Sequence, residues 1–184
     1  MNVDQLTRFF SSRKCHGIEN VGNTCYISTA LQCLAHCLSF AYPIIANPAS
    51  TPIASALRDL FKTIWIEQKV ASPIEFIKAI HPRVSEVLDL RHQNDAMEFI
   101  MLFIDILNQE YGIIKERRER NLGLKGKDRF IDLMDCHWSN SHRPYSMICS
   151  IMYGQTANQT TCNLCGDIEH QGDIFCSIGL TLEE

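Results

Sequence analysis

The residues best suited to chemistry lie between Gly17 and Tyr26, where a glycine-containing loop leads into a predicted helix. Cys25 stands at the predicted helix start, where backbone N–H groups lack partners and the helix dipole is positive. Both features lower the pKa of a thiol, so the position predicts a nucleophile. Gly22 allows the backbone to turn tightly and to pass close to a substrate. The amides of Asn20 and Asn23, both close by in sequence, are suited to donating a hydrogen bond to an oxyanion beside the sulfur.

The helix after Cys25 is predicted from a regular repeat of apolar residues. These residues are Ile27, Ala30, Leu31, Leu34 and Leu38. Their spacing places them on one buried helical face. The alternative for Cys25 is a buried thiol that packs like a small apolar residue. Cys33 and Cys37 lie one helical turn apart on or near the same face, so we expect packing residues there rather than metal ligands.

Residues 17–26 read Gly-Ile-x-Asn-x-Gly-Asn-Thr-Cys-Tyr and are followed by Leu31-Gln32-x-Leu34. This string resembles the cysteine box of the ubiquitin-specific protease family of papain-like deubiquitinating enzymes. The resemblance implies an α+β papain-like fold, with a helical thumb, the start of an antiparallel β finger subdomain and an incomplete palm. It also implies hydrolysis of isopeptide or peptide bonds at the C-terminal glycine of ubiquitin, with Cys25 as nucleophile and Asn20 in the oxyanion hole. Ile27-Ser28-Thr29 departs from the usual Met-Asn-Ser.

A second segment, Gln93-Asn94-Asp95-Ala96-Met97-Glu98-Phe99, resembles the family signature Gln-x-Asp-Ala-x-Glu-Phe. The resemblance implies that Asp95 binds the extended, arginine-bearing C-terminus of ubiquitin, since an arginine pairs best with a carboxylate. Met97 stands where family members usually carry Gln, which removes one expected substrate hydrogen bond. The alternative is that Asp95 is only a helix N-cap.

Cys162 and Cys165 have the C-x-x-C spacing of half a zinc ribbon, and Gly166 suits the turn between such ligands. A structural zinc site needs four ligands, and the chain has no second C-x-x-C. We therefore expect no cofactor for catalysis and, at most, a structural zinc site that is incomplete in this chain. Cys136 with His137 or His142 is one way to complete it, and two thiols in a β-turn are the alternative.

A papain-like nucleophile also needs a histidine that takes its proton and a residue that orients this histidine. The histidine box that supplies both in the family is absent, and His16, the histidine nearest Cys25 in sequence, does not match it. We expect a fragment whose C-terminal segment or second chain supplies the base. The alternative is a catalytically inactive ubiquitin-binding or scaffold module.

Composition narrows the class of protein. The net charge of −4 and pI near 6.0 give no sign of a nucleic-acid surface. No apolar stretch approaches the ~18 residues that span a bilayer, and the first residues do not resemble a signal peptide. Nine cysteines without such a signal favour free thiols in a reducing compartment. We expect an intracellular protein, cytoplasmic or nuclear, that partners ubiquitin and ubiquitinated proteins.

Three further helices are predicted, after Thr51-Pro52, after Ser72-Pro73 and from Asn94-Asp95. Ser72 with Glu75 forms a capping-box pattern, and the second of these helices is expected to stop by His81-Pro82. The expected buried faces are Ile53, Leu57, Leu60, Phe61, Ile64 and Trp65 in the first, Ile74, Ile77 and Ile80 in the second, and Ala96, Phe99, Ile100, Phe103, Ile106 and Leu107 in the third.

The last third is predicted to change from helix to strand. Residues from about Ser146 onward lose the helical repeat, and a strand is expected over Ile174, Cys176, Ile178, Leu180 and Leu182, which alternate with smaller or polar residues. Asn121 to Arg129 is rich in glycine and charge and predicts an exposed connection.

The expected organisation is an N-terminal extension over 1–13 and a partial catalytic domain over 14–184, with the thumb at about 14–120, a linker at about 121–145 and the start of the fingers at about 146–184.

Overall fold

The computed structural model of the protein describes residues 8, 10–47, 50–90, 92–141 and 144–180. The chain divides into two compact units, Met1–Glu110 and Tyr111–Glu184. The first contains helices, and the second combines helices with a two-stranded antiparallel sheet. This mixture of helix and strand agrees with the expected α+β class. The thumb, finger and palm boundaries stay predictions.

The described residues of the first unit include the helices α1 (Cys25–His36), α2 (Leu38–Ala46), α3 (Pro52–Trp65), α4 (Ile74–Val84) and α5 (Ala96–Tyr111). Their apolar faces form a core whose largest fully buried side chains are Phe40, Phe61, Phe76, Phe99, Phe103, Ile27, Leu31, Ile44, Leu57, Ile64, Ile80 and Ile104. Phe10, in the segment predicted as an extension, is also buried, with its ring edge-to-face on Trp65 at 4.6 Å between centroids.

Among the described residues, no single helix is long and apolar enough to cross a bilayer. Helices α1 and α2 meet that test only as a pair bent by 90°.

The prediction for α3 is confirmed. Thr51 caps the helix, because its Oγ1 accepts a hydrogen bond from the Ala54 backbone N–H at 3.3 Å, and Pro52 is the first helical residue. All six expected apolar residues of this helix are buried. Cap, proline and apolar repeat agree here, so local sequence is sufficient to define the element.

The prediction for α4 is wrong at both ends. The N-cap is Pro73 rather than Ser72 and makes no side-chain cap hydrogen bond, and the helix continues through Pro82 to Val84. Its buried residues are Phe76, Ile80 and Val84, whereas Ile74 is exposed. Phe76 packs edge-to-face on Phe103 at 5.3 Å between centroids. Burial of this face offsets the one intrahelical hydrogen bond that a proline cannot donate.

Two expectations about α1 are also corrected. The helix ends at His36 and the chain turns by 90° into α2, so Leu38 begins a new helix instead of extending the buried stripe. Cys33 and Cys37 are exposed rather than packed in the core. The helix is buried on the face of Ile27, Leu31 and Leu34, and both thiols lie outside it.

The second unit contains α6 (Gly126–Ser141), α7 (Met147–Met152) and a hairpin of β1 (Gly154–Thr161) and β2 (Ile168–Phe175). The strands pair in register from Gly154 opposite Phe175 to Thr161 opposite Ile168. The irregular segment before α6 is tied to that helix, because the Arg118 guanidinium pairs with the buried Asp132 carboxylate at 3.1 Å.

The predicted strand over 174–182 is wrong. Strand β2 ends at Phe175, and Ile178 and Leu180 are 70% and 85% exposed, while Leu182 lies outside the described residues. The observed strand β2 lies earlier in the chain and pairs along its whole length with β1, which is polar and has no apolar alternation that would have revealed it. Helix α6 begins within the segment expected to be an exposed connection, Asn121 to Arg129.

Candidate active site

Cys25 is the first residue of α1, and its thiol is exposed. The N-cap residue, Thr24, makes no side-chain cap hydrogen bond to the helix. The alternative of a buried, packing thiol is therefore wrong for Cys25. The sulfur is accessible to a substrate beside a helix N-terminus that its own N-cap side chain does not satisfy, which is the position expected of a nucleophile.

The Asn20 side chain is oriented by Thr24. The Thr24 hydroxyl, which is buried, donates a hydrogen bond to Asn20 Oδ1 at 3.2 Å. Asn20 itself is exposed, and its Nδ2 group donates to no partner within the described residues. The amide therefore has its acceptor engaged and its donor available, which is the arrangement that an oxyanion donor requires.

The loop that carries Asn20 is held by a distant part of the chain. The Glu19 N–H donates to the Ala71 carbonyl at 2.9 Å, and the Ala71 N–H donates to the Gly17 carbonyl at 3.0 Å. The Ser28 hydroxyl donates to the Glu19 carbonyl at 3.3 Å, which fixes the loop to α1 as well. Gly22 has φ 121°, so the expected glycine turn is confirmed.

Asp95 is the N-terminal cap of α5. Its Oδ1 accepts the backbone N–H groups of Met97 at 2.6 Å and Glu98 at 3.1 Å. The carboxylate is exposed, and no described residue contacts Oδ2 through a hydrogen bond or ion pair. The capping role, which was the alternative interpretation, is thus present, and it leaves one carboxylate oxygen available to a cation.

Tyr26 connects the starts of α1 and α5. Its ring is buried and packs edge-to-face on Phe99 at 5.8 Å between centroids. Burial raises the pKa of the Tyr26 phenol, the Asn94 side chain partly offsets this, and the nearby charges of Asp89 and Cys25 raise it further. The start of α1, which carries Cys25, and the start of α5, which follows Asp95, are therefore in contact through Tyr26.

No histidine of the described chain forms a hydrogen bond with Cys25. The His36 Nδ1 lies 2.7 Å from the Gln32 carbonyl oxygen. The hydrogen bonds of His16 are made by its backbone carbonyl and N–H groups. His92 pairs with the Asp89 carboxylate, 2.9 Å from Nδ1 to Oδ2. This His–Asp pair was not predicted from the sequence, where its only signal is the three-residue spacing of Asp89 and His92.

Cys162 and Cys165 are exposed in the turn between β1 and β2. The Cys162 N–H donates to the Asp167 carbonyl at 2.8 Å, and the Gly166 N–H donates to the Cys162 carbonyl at 2.9 Å. Gly166 has φ 72°, as a turn glycine should. The pKa of Cys162 is lowered by hydrogen bonds to its thiolate. The largest contributions come from the backbone N–H groups of Cys165 and Leu164, and a smaller one comes from the Cys165 thiol.

The proposed completion of a metal site by Cys136 is not found. The Cys136 thiol donates to the Arg118 carbonyl at 3.2 Å, and His137 Nδ1 lies 2.9 Å from Gln155 Nε2. Residues 8–180, apart from the short gaps in the description, contain no group of three or more potential metal ligands. His142 lies outside the described residues. Cys162 and Cys165 thus form a pair of adjacent thiols at a hairpin tip.

An accessible thiol at a helix start beside an amide donor is typical of thiol-dependent hydrolases. A family model described as Ubiquitin carboxyl-terminal hydrolase matches residues 16–175. The match covers most of the chain, so the chain belongs to this family.

Similar proteins carry the same description. The chain is 28% identical over 179 residues to Ubiquitin carboxyl-terminal hydrolase 12 of Salmo salar, covering 91% of this chain and 46% of that protein. It is 27% identical over 184 residues to Ubiquitin carboxyl-terminal hydrolase 10 of Arabidopsis thaliana, covering 90% of this chain and 19% of that protein. The chain therefore spans about half or less of the length of these relatives.

Proposed function

We propose that the chain provides the nucleophile of a deubiquitinase that hydrolyses isopeptide or peptide bonds at the C-terminal glycine of ubiquitin. The observation that carries the proposal is the exposed Cys25 thiol at the start of α1, beside an Asn20 amide whose acceptor is engaged by Thr24. Membership of the hydrolase family supports the same reaction.

The proposed reaction begins when the Cys25 thiolate attacks the carbonyl carbon of the terminal glycine of ubiquitin. A C–S bond forms, and the carbonyl electron pair becomes an oxyanion that accepts hydrogen bonds from Asn20 Nδ2 and the Cys25 backbone N–H. Collapse of this intermediate expels the amine, which takes a proton from the protonated base. Water then hydrolyses the acyl-enzyme and regenerates the thiol. Asp95 Oδ2 binds the arginine-bearing C-terminus of ubiquitin.

We propose that the base comes from a segment other than these 184 residues, because the histidine box of the family is absent from the sequence and no histidine of the described residues is hydrogen-bonded to Cys25. The same absence supports the second candidate, an inactive module that binds ubiquitin through Asp95. We also propose that Cys162 and Cys165 supply half of a structural zinc site and that the protein is intracellular, where thiols that form no disulfide bond stay reduced.

A ubiquitin probe with a C-terminal electrophile tests the nucleophile. The full chain is incubated with the probe, and the modified residue is found by peptide mass spectrometry. We expect slow modification at Cys25, absent from Cys25→Ser and unchanged in Cys33→Ser, a control for another exposed thiol of α1. Modification at Cys33 or Cys37 would contradict the assignment. Ubiquitin binding without any modification would favour the inactive module.

Elemental analysis after a chelator wash tests the zinc proposal. Two thiolates bind zinc weakly, because a structural site needs about four ligands. We expect less than one zinc ion per chain after the wash. A tightly held ion, lost in Cys162→Ser, would show that the site is complete within the chain.

A further inference from the structure

The segment that leads into the cysteine loop is held by a residue with an unfavourable backbone conformation. Gln68 has φ 56° and is the only non-glycine residue with positive φ in the described part of the chain. This region is disfavoured for residues other than glycine, asparagine and aspartate. A residue persists there when surrounding interactions determine its conformation.

Those interactions come from the Gln68 side chain. Its Nε2 donates to the Lys14 carbonyl at 2.9 Å and to the Trp65 carbonyl at 2.9 Å. Its Oε1 accepts the Lys14 N–H at 3.3 Å. One amide therefore pairs with both backbone groups of Lys14, as a neighbouring strand would, and fastens the turn to a residue 54 positions earlier.

Further hydrogen bonds continue this contact toward the active site. The His16 N–H donates to the Ile64 carbonyl at 3.3 Å, and Gly17 and Glu19 both bond to the backbone of Ala71. Asn20 is the next residue after Glu19. The position of Asn20 thus depends on a contact to which the Gln68 side chain contributes two hydrogen bonds with Lys14, besides one from the Arg13 guanidinium to the Ile66 carbonyl at 3.4 Å.

We propose that Gln68 is a positioning residue that sets Asn20 relative to Cys25, an inference that rests on the function proposed above. Glycine at position 68 would relax the backbone but would lose both hydrogen bonds to Lys14. Asp95 takes no part in these hydrogen bonds, because it is fixed by its own cap on α5. Gln68 therefore affects the chemical step and not the binding of ubiquitin.

Ubiquitin with a C-terminal aldehyde separates these two effects. The Cys25 thiol adds to the aldehyde carbon, a C–S bond forms, and the former carbonyl oxygen takes the thiol proton and the contact with Asn20. The full chain is compared with Gln68→Gly, Gln68→Ala and, as a control in the same turn, Glu67→Ala. We expect both Gln68 variants to bind the aldehyde about tenfold more weakly, as for a partly displaced oxyanion donor. Their affinity for unmodified ubiquitin should be unchanged, and Glu67→Ala should match wild type in both.

Comparing the two Gln68 variants separates positioning from stability. Gln68→Gly should melt at a higher temperature than Gln68→Ala, because glycine accepts the positive φ. A purely stabilising role would restore aldehyde binding in Gln68→Gly, and that result, or an equal loss of ubiquitin and aldehyde binding, would overturn the proposal. Equal binding of ubiquitin and its aldehyde by wild type would instead contradict the proposed function. The contact between Gln68 and Lys14 would then be tested by hydrogen exchange at the Glu19 and Ala71 amides. This exchange must become faster in both Gln68 variants.

Discussion

The two thiol sites of this chain are held in different ways. The loop before Cys25 is bonded to Ala71, and Lys14, in the segment that leads into this loop, is bonded to Gln68; both partners lie far away in sequence. The turn that carries Cys162 and Cys165 is closed by hydrogen bonds that reach no further than Asp167. The first arrangement exists only when the helical unit is folded, whereas the second forms within one hairpin.

This difference separates two kinds of chemistry. A nucleophile needs groups placed at fixed positions around one reacting atom, so long-range contacts are required. A pair of metal ligands needs only the short spacing of a turn, and its remaining ligands come from elsewhere. Changes in the core should therefore affect Cys25 and leave the hairpin tip unaltered.

The largest effect is expected from Phe103→Ala. Phe103 is fully buried, stacked on Phe99 at 5.7 Å and edge-to-face on Phe76. The free energy of unfolding should fall by about 3–5 kcal/mol in urea denaturation, because a large cavity is created. Iodoacetamide labelling of Cys25 should change while that of Cys162 does not. Equal changes at both thiols would contradict the comparison, and Phe103→Leu provides the mild control.

Asn20→Ala tests whether the long-range contacts serve the chemical step. An oxyanion donor acts mainly in the transition state, so turnover in the complete enzyme should fall about 10²-fold, while ubiquitin affinity stays unchanged. Steady-state kinetics and binding measurements check this. Asn23→Ala is the neighbouring amide control. Parallel losses of binding and turnover would assign Asn20 a folding role.

Substitutions of Asp95 should have a smaller effect, and two of them separate its role as a helix cap from the role of its negative charge. Asp95→Asn keeps a capping oxygen but removes the charge, so ubiquitin affinity should fall by about tenfold with little change in unfolding free energy. Asp95→Ala should lose the same affinity and, in addition, about 1 kcal/mol of stability. Calorimetric titration and urea denaturation measure the two quantities. Unchanged affinity in both variants would leave Asp95 with the capping role alone.

The smallest effect concerns the hairpin tip. Because backbone N–H groups lower the pKa of Cys162, its thiolate fraction is larger than that of an ordinary cysteine at neutral pH, and the excess disappears once pH exceeds the ordinary thiol pKa. Alkylation of Cys162 should therefore begin at a lower pH than that of a cysteine peptide. The profile should survive Phe103→Ala, since the responsible bonds are local. A normal profile would show that the turn is not preformed.

Local signals explain which elements could be predicted from the sequence. Helix α3 has a capping threonine, a first-turn proline and an apolar repeat that all agree, and Cys25 and Asn20 lie in one short motif. Strand β1 is polar along its length, so only its pairing with β2 defines it. Helix α4 continues through Pro82 because Phe76, Ile80 and Val84 pack in the core. This packing involves residues far away in sequence, so the local sequence does not predict it.

The same limit applied to the candidate site. Cys25, Asn20 and Asp95 could be singled out as candidate site residues from short motifs. The hydrogen bonds that hold them could not, because Gly17 and Ala71, or Lys14 and Gln68, come together only by folding. That the Asp95 cap leaves one carboxylate oxygen available could not be predicted either, since it depends on which carboxylate oxygen accepts the backbone N–H groups.

The exposure of Cys25, Cys33 and Cys37 along one stretch of chain has a consequence for chemical inhibition. Accessibility alone does not distinguish Cys25, the proposed nucleophile, from Cys33 and Cys37, so we expect a small electrophile to modify several thiols of this chain. A selective covalent inhibitor must take its selectivity from the surroundings of Cys25, by placing an acceptor against the Asn20 amide and a cation against Asp95. Inhibitor design for this protein should begin from those two contacts and keep the reactive group weak.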